Sequence, residues 1–200
     1  PILVAAERGN PEVVALLIDY GADPRVRNDR GQSTVFIAAA GQNVEVLRIL
    51  LRAGGDPNRP DDQGSTPLMM AIGSRSMGIV EELLAYGADP NVQNEAGETP
   101  LLIGVRDGAD DLVELLLRSG ADPSIADREG NTPLLLALER SAREPRGLNR
   151  SAQLLANTGT GRIGRSRRAV DIAFLTAESG NTDVLRILLE SGLDRDARSA

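Results

Sequence analysis

Glycine recurs in this chain at a fixed step of 33 residues. Gly31, Gly64, Gly97 and Gly130 form one series, and Gly21, Gly54, Gly87 and Gly120 form another. The second series opens a Gly-x-Asp-Pro each time: GADP at 21, GGDP at 54, GADP at 87 and again at 120. Thr-Pro-Leu returns at 66, 99 and 132 in the same register, and Pro1 falls in it too. A period of this length means that each repeat is one supersecondary element unable to bury its apolar side alone, so the repeats must stack.

Each repeat reads as two short helices and a turn. Thr followed by Pro fits a helix N-cap and a first-turn proline whose missing N–H is no loss. The stretches PLMMAIG (67–73) and PLLIGVR (100–106) continue as a helix with small residues that permit close packing. A break near Gly9, Gly108 or Gly180 precedes the second helix, written GNPEVVALLI at 9, QNVEVLRILL at 42, GADDLVELLL at 108 and GNTDVLRILL at 180. Val13, Val14, Leu16 and Leu17 make an apolar stripe at helical spacing. Gly21 suits the left-handed position that ends such a helix. From Asp23-Pro24 to about Gly31 the chain is polar and turn-forming.

The 33-residue unit of Gly-x-Thr-Pro-Leu, two helices and Gly-Ala-Asp resembles the ankyrin repeat, and does so over essentially the whole chain. The resemblance implies an all-α repeat solenoid, L-shaped in section, of stacked helix-turn-helix repeats with projecting β-hairpin loops. One domain over 1–200 is expected, with repeats at about 1–27, 28–60, 61–93, 94–126, 127–165 and a degenerate 166–200. The fifth carries six extra residues around AREPRG (142–147), because Ser141 to Leu154 spans 13 steps where Gly108 to Leu115 spans 7. Two departures stand out. The family's usual His after Thr-Pro-Leu is here Leu3, Phe36, Met69, Leu102, Leu135 and Phe174, which exchanges a polar network for apolar packing. Glu82 stands where Leu16, Ile49 and Leu115 stand, a slot expected to be buried, so Glu82 is expected to tilt outward to solvent.

The residue inventory excludes most chemistry. The chain has no His and no Cys, and every basic residue is Arg, so imidazole and thiolate metal sites, cysteine nucleophiles and lysine Schiff bases are all absent. No metal or cofactor and no enzymatic activity are expected. The carboxylate groups Asp61-Asp62, Asp107/Asp110/Asp111 and Asp194/Asp196 each have a structural explanation, and none forms a calcium loop. No apolar run reaches the roughly 18 residues of a membrane span. No targeting segment is legible, and the expectation is a cytoplasmic rather than a periplasmic or secreted chain.

One stretch looks like an exception. In NTGTGRIGRSRR (157–168), Gly159, Gly161 and Gly164 spell the G-x-G-x-x-G of dinucleotide sites. A dinucleotide fingerprint must follow a strand and open a helix, whereas here it follows the helical stretch SAQLLAN. Counting forward from the insertion, Gly159 takes the slot of Gly120 and Ala169 that of Gly130, so the stretch reads as the hairpin connector between repeats five and six. Its arginines remain. Net charge is −7, yet residues 140–168 carry +7 and the rest −14. Arg143, Arg146, Arg150, Arg162, Arg165, Arg167 and Arg168 therefore form a candidate basic patch, read either as a solvated face answering nearby acids or as a dock for an acidic or phosphate-rich ligand. Overall acidity, and the lack of aromatics between the arginines, argue against nucleic acid.

What remains is binding by surface. The resemblance implies that a partner protein is gripped by the hairpin tips and the exposed inner-helix face. By register those positions are Glu7 and Arg8; Arg27, Asp29, Arg30 and Gln32; Asp62, Gln63, Ser65 and Ser74; Gln93, Glu95, Glu98, Arg106 and Asp107; and Arg128, Glu129, Asn131, Glu139 and Arg140. The expected function is a monomeric, non-catalytic protein–protein interaction module. A second reading makes the chain a regulatory or targeting segment of a larger enzyme or secreted effector, since it opens inside a repeat and closes just after Gly-Leu-Asp (192–194). A third is docking of an anion or phosphate ligand through 143–168.

Overall fold

The computed structural model describes residues 1–143, 147–159 and 167–193. Among these are twelve helices: α1 (Ile2–Arg8), α2 (Pro11–Asp19), α3 (Thr34–Ala40), α4 (Val44–Arg52), α5 (Pro67–Gly73), α6 (Met77–Ala85), α7 (Pro100–Asp107), α8 (Asp110–Arg118), α9 (Pro133–Ala142), α10 (Arg150–Asn157), α11 (Arg167–Ser179) and α12 (Thr182–Glu190). They fall into two compact units, Pro1–Ile103 and Gly104–Ala200. In the first, α3 packs on α1 and α5 to make the inner row, and α4 packs on α2 and α6 to make the outer row. In the second, α9 packs on α10, α11 and α12, and α8 packs on α10.

The inner helices start where the sequence caps them. Hydroxyls of Thr66, Thr99 and Thr132 accept the backbone N–H three residues on, at 3.4, 3.2 and 3.3 Å. Proline follows at the first helical position in α5 and α9. Thr99→Ala is expected to cost about 1 kcal/mol as a lost cap, read as a fall of a few degrees in the unfolding midpoint; an unchanged midpoint contradicts the helix assignment. The former His slot is apolar as expected in the middle repeats, where Phe36, Met69, Leu102 and Leu135 are buried. At Met69 the thioether sulfur also accepts the Thr66 N–H at 3.5 Å. Phe174 departs from that pattern, at 46% exposed.

Outer helices are capped by asparagine. Asn10, Asn43, Asn149 and Asn181 each accept the N–H three residues on, whereas Ser76 and Ala109 make no side-chain cap bond. The residue just before five of these six caps, all but Asn149, is left-handed: φ is 65° at Gly9, 70° at Gly108 and 72° at Gly180, but also 55° at Gln42 and at Arg75. A side chain in that region costs roughly 1–2 kcal/mol. Sterics explain part of the choice. A Cβ at Gly9 lies 2.8 Å from the Asn43 Nδ2, which donates to the Gly9 carbonyl. After Gln42 the corresponding cap is the shorter Ser76.

Two expectations are corrected. Glu82 does not tilt outward: its side chain is 20% exposed and accepts from Arg48 Nη2 at 2.7 Å and Nε at 3.1 Å. Nor is its slot a buried one, since Leu16 is 56% exposed and Ile49 and Leu115 are half-buried. Arg48 also meets Glu45 at 3.2 Å, and the Glu82 hydrogen bond holds its guanidinium above the ordinary pKa. Second, Arg167 and Arg168 are not in a connector loop but are the first residues of α11, which runs 13 residues. Ile172 occupies the slot of Pro133, and Ala169 that of Gly130, so neither the proline stop nor the left-handed glycine is there to delay the helix. Downstream of 144–146 the burial pattern is offset by six: Ser151, Ala152 and Leu155 are buried as Leu112, Val113 and Leu116 are.

Candidate functional site

The loops after the outer helices share one construction. Asn28, Asp61, Asn94 and Asp127 each accept, through a side-chain oxygen, the N–H groups two and four residues on, at 2.9–3.0 Å. Backbone bonds Asn28 N–H to Gln32 O, Asp61 to Ser65, Asn94 to Glu98 and Asp127 to Asn131 close each loop. Among the described residues the only β-type pairing is the isolated antiparallel bridge between Arg27 and Ser33. In the first unit adjacent loops are tied together, Asp62 N–H to Arg30 O at 3.2 Å and Glu95 N–H to Gln63 O at 3.1 Å. An Asx residue satisfies the polar backbone of a turn from inside, so the loop tips are held without help from a ligand.

A second Asx series lies at the loop base. Asp23, Asp56, Asp89 and Asp122 accept the N–H two residues on, at 2.8 Å each. At Asp122 the Ser124 hydroxyl, then the Ser124 N–H, hold the carboxyl below the usual carboxylate range. Both series repeat at 33 residues and were legible as such.

The tip residues divide by what their side chains touch. Asp29, Arg30, Gln63, Glu95 and Arg128 are exposed and, among the described residues, make no side-chain hydrogen bond or ion pair. Others are bonded into the loops. Arg27 donates to Gly31 O, to Pro60 O at 3.2 Å and to Asp62 at 3.2 Å. Gln32 accepts from Asn28 at 2.9 Å, Gln93 donates to Gly97 O at 2.7 Å, and Glu98 accepts from Asn94 at 3.2 Å. Ser65 is half-buried, its N–H donated to Asp61. Asn131 is buried and donates to Asp127 and Glu129. At the inner-helix ends, Glu7 and Arg8 are exposed, the Ser74 hydroxyl donates to Ala71 O, Arg106 meets Asp107 at 3.3 Å, and Arg140 donates to Val105 O at 3.0 Å.

The arginines of the candidate basic patch have acidic company. Arg150 pairs with Asp111 at 2.8 Å and with Glu114, which also holds Arg118. Glu139 holds two of the patch, Arg143 at 2.9 Å and Arg168 at 2.6 Å. Arg168 also donates to Asn131 at 2.8 Å and lies 3.8 Å from Glu129. Arg167 is exposed. Arg146, Arg162 and Arg165, with Gly161 and Gly164 of the glycine pattern and with Asp194 and Asp196, lie outside the described residues. Gly159 is described and has φ 67°, a turn conformation.

Among the described residues no group of three or more acidic side chains is arranged to hold a metal ion, and no helix is long and apolar enough to cross a membrane. Helix pairs joined by self-satisfied loops at a 33-residue step define an all-α repeat protein. A family model of ankyrin repeats, three copies long, matches residues 2–94 and again 74–160. The chain belongs to the ankyrin-repeat family, whose members generally act as protein–protein interaction modules and are typically non-catalytic. No curated protein matches the chain.

Proposed function

We propose that the chain is a non-catalytic module that grips a partner protein with its loop tips and the exposed ends of its inner helices. The observation that carries this reading is the split just described. Asx carboxylates and carboxamides consume the loop's own N–H groups, leaving Asp29, Arg30, Gln63 and Glu95 directed at solvent from a row of cross-bonded loops. A surface ordered before it binds loses less entropy on association than a floppy one. Energetic contacts at interfaces favour arginine over the small polar residues around it, which makes Arg30 and Arg128 the strongest candidates. The pairing of Arg143, Arg150 and Arg168 with Asp111, Glu114 and Glu139 favours a self-compensated face over an anion dock there.

Affinity capture from native extract, with wild type and the Asp29→Ala/Arg30→Ala/Gln63→Ala/Glu95→Ala variant in parallel, tests this. These exposed side chains make no hydrogen bond or ion pair among the described residues, so the variant's stability is expected to stay within about 0.5 kcal/mol per site. The predicted result is a captured protein that is lost from the variant at an unchanged unfolding midpoint. Equal capture by both chains contradicts the assignment to the tips.

A further inference from the structure

The first and last repeats expose side chains whose counterparts in the middle repeats are buried. On α2, Val13 is 42% exposed and Leu16 and Tyr20 are open to solvent, whereas Val46 and Ile79, in the slot of Val13, are fully buried. On α11 and α12, Phe174 and Leu189 are exposed, whereas Phe36 and Leu51, in their slots, are buried. A terminal repeat that ends a stack turns a polar face outward; neither end does so. The run Val-Leu-Arg-Ile-Leu-Leu occurs twice, at 46–51 in α4 and at 184–189 in α12. In α4 its Leu47 and Leu51 are buried, and α4 packs on α6. In α12 the same leucines, Leu185 and Leu189, are half-buried and exposed.

Polar groups are left over in the same register. Asn43 Nδ2 donates to Gly9 O at 2.8 Å, and Asn181 Nδ2 to Ser141 O at 3.0 Å. In both, a capping asparagine reaches a carbonyl at the end of the inner helix one repeat earlier; Asn149, behind the insertion, donates to Ala137 O instead. Asn10 holds the slot of Asn43 on α2. Its Oδ1 caps α2, but its Nδ2 donates to nothing among the described residues. Gly180 holds the slot of Gly9, and among the described residues its carbonyl accepts only the Thr182 N–H, which leaves a second lone pair. Charge follows suit. Arg150 of α10 pairs with Glu114 of α8; α2 and α12 carry Glu12 and Arg186 in those slots, the same pair with signs reversed. Glu12 is exposed and has no ion pair among the described residues, and Arg186 meets Asp183 alone, at 3.8 Å.

We propose that a second copy of this chain stacks on it head to tail, α1 and α2 of one copy covering α11 and α12 of the other. The contact repeats the one between α4 and α6. Val13 and Leu17, in the slots of Ile79 and Leu83, close over Leu185 and Leu189. Asn10 Nδ2 donates to Gly180 O across the contact, and Arg186 takes Glu12. Asp183 then leaves Arg186 between two carboxylates, as Arg48 lies between Glu45 and Glu82. The two ends of one chain are the two halves of this contact, so it is heterologous and generates a ring or an open stack. This inference adds to the tip-binding reading and does not rest on it; it replaces the monomer expected from the sequence with a chain that self-associates.

Sedimentation velocity over a concentration series reaching the millimolar range tests this. The wild-type chain is expected to gain mass with concentration and to pass beyond a dimer. Glu12→Arg and Arg186→Glu each set like charges against one another in the contact, and each is expected to weaken association about tenfold. Both positions are exposed, so the unfolding midpoint of each variant is expected to stay close to that of wild type. Mixed in equal amounts, the two variants face opposite charges at every contact, wild-type in sign at one and exchanged at the next. Association is expected to return in the mixture, a rescue that loss of fold cannot produce. Variants that associate as wild type does, or a mixture no heavier than its components, overturn the proposal. So does a wild-type chain that stays monomeric throughout the series, which leaves the end faces to a different protein.

Discussion

Leu83→Ala is expected to lower the unfolding free energy by about 3 kcal/mol, the usual cost of removing three methylene-sized groups from a closed core. Leu17→Ala, the same substitution at the same register, is expected to cost only about 1 kcal/mol, because a half-exposed side chain has less transfer energy to lose and leaves no closed cavity. Every repeat carries leucine at this position: Leu17, Leu50, Leu83, Leu116, Leu155 and Leu188. Leu50, Leu83, Leu116, Leu155 and Leu188 are fully buried, while Leu17 on α2 is half-buried. In a stack each repeat is stabilised by its neighbours, and α6, which carries Leu83, packs on both α4 and α5. Urea unfolding of the two variants at equal protein concentration reads the difference. Equal losses at the two positions contradict nearest-neighbour stacking as the source of stability.

Asn181→Ala is the second large effect, expected to cost about 2–3 kcal/mol. Its side chain is buried and does three things at once. The Oδ1 accepts the Val184 N–H at 3.4 Å and caps α12, while Nδ2 donates to Ser141 O at 3.0 Å and Gly147 O at 2.9 Å. Ser141 lies in α9 and Gly147 shortly before α10, so the side chain ties both to the start of α12. Truncation removes a cap and leaves two acceptors without their donor. Asn181→Asp separates the contributions, since it keeps the cap oxygen but turns a second oxygen toward the carbonyls. It is expected to destabilise at least as much as alanine. An aspartate variant as stable as wild type shows that only the cap matters and that the bridge to Ser141 and Gly147 does not.

The period made the helices legible before any coordinates, because proline and glycine punctuate each repeat and an aliphatic stripe fills it. What the pattern missed was decided by contacts between repeats or by the loss of punctuation. Glu82 was read in isolation as a carboxylate in a leucine slot; its partner Arg48 sits 34 residues earlier on a neighbouring helix, a pairing that no single repeat displays. The early start of α11 follows from an absence, since Ile172 and Ala169 replace the proline and glycine that delay the helix elsewhere. At the tips, register placed Arg27, Gln32, Gln93 and Asn131 correctly in the loops. It did not reveal that their side chains are occupied there: Gln32 and Asn131 bond the Asx residue at the head of the loop, and Arg27 and Gln93 donate to the carbonyls of Gly31 and Gly97. Gln42 and Arg75 stand where other repeats have Gly9, Gly108 and Gly180, and that they keep the left-handed φ of those glycines is seen only in the folded chain.

Hydrogen–deuterium exchange of the chain, free and saturated with the partner captured on it, tests the central claim most directly. If the loop tips form the interface, added protection concentrates at 27–32, 60–65 and 93–98. Protection confined to the outer helices α2, α4 and α6 contradicts the account and moves the interface to the opposite side of the repeats.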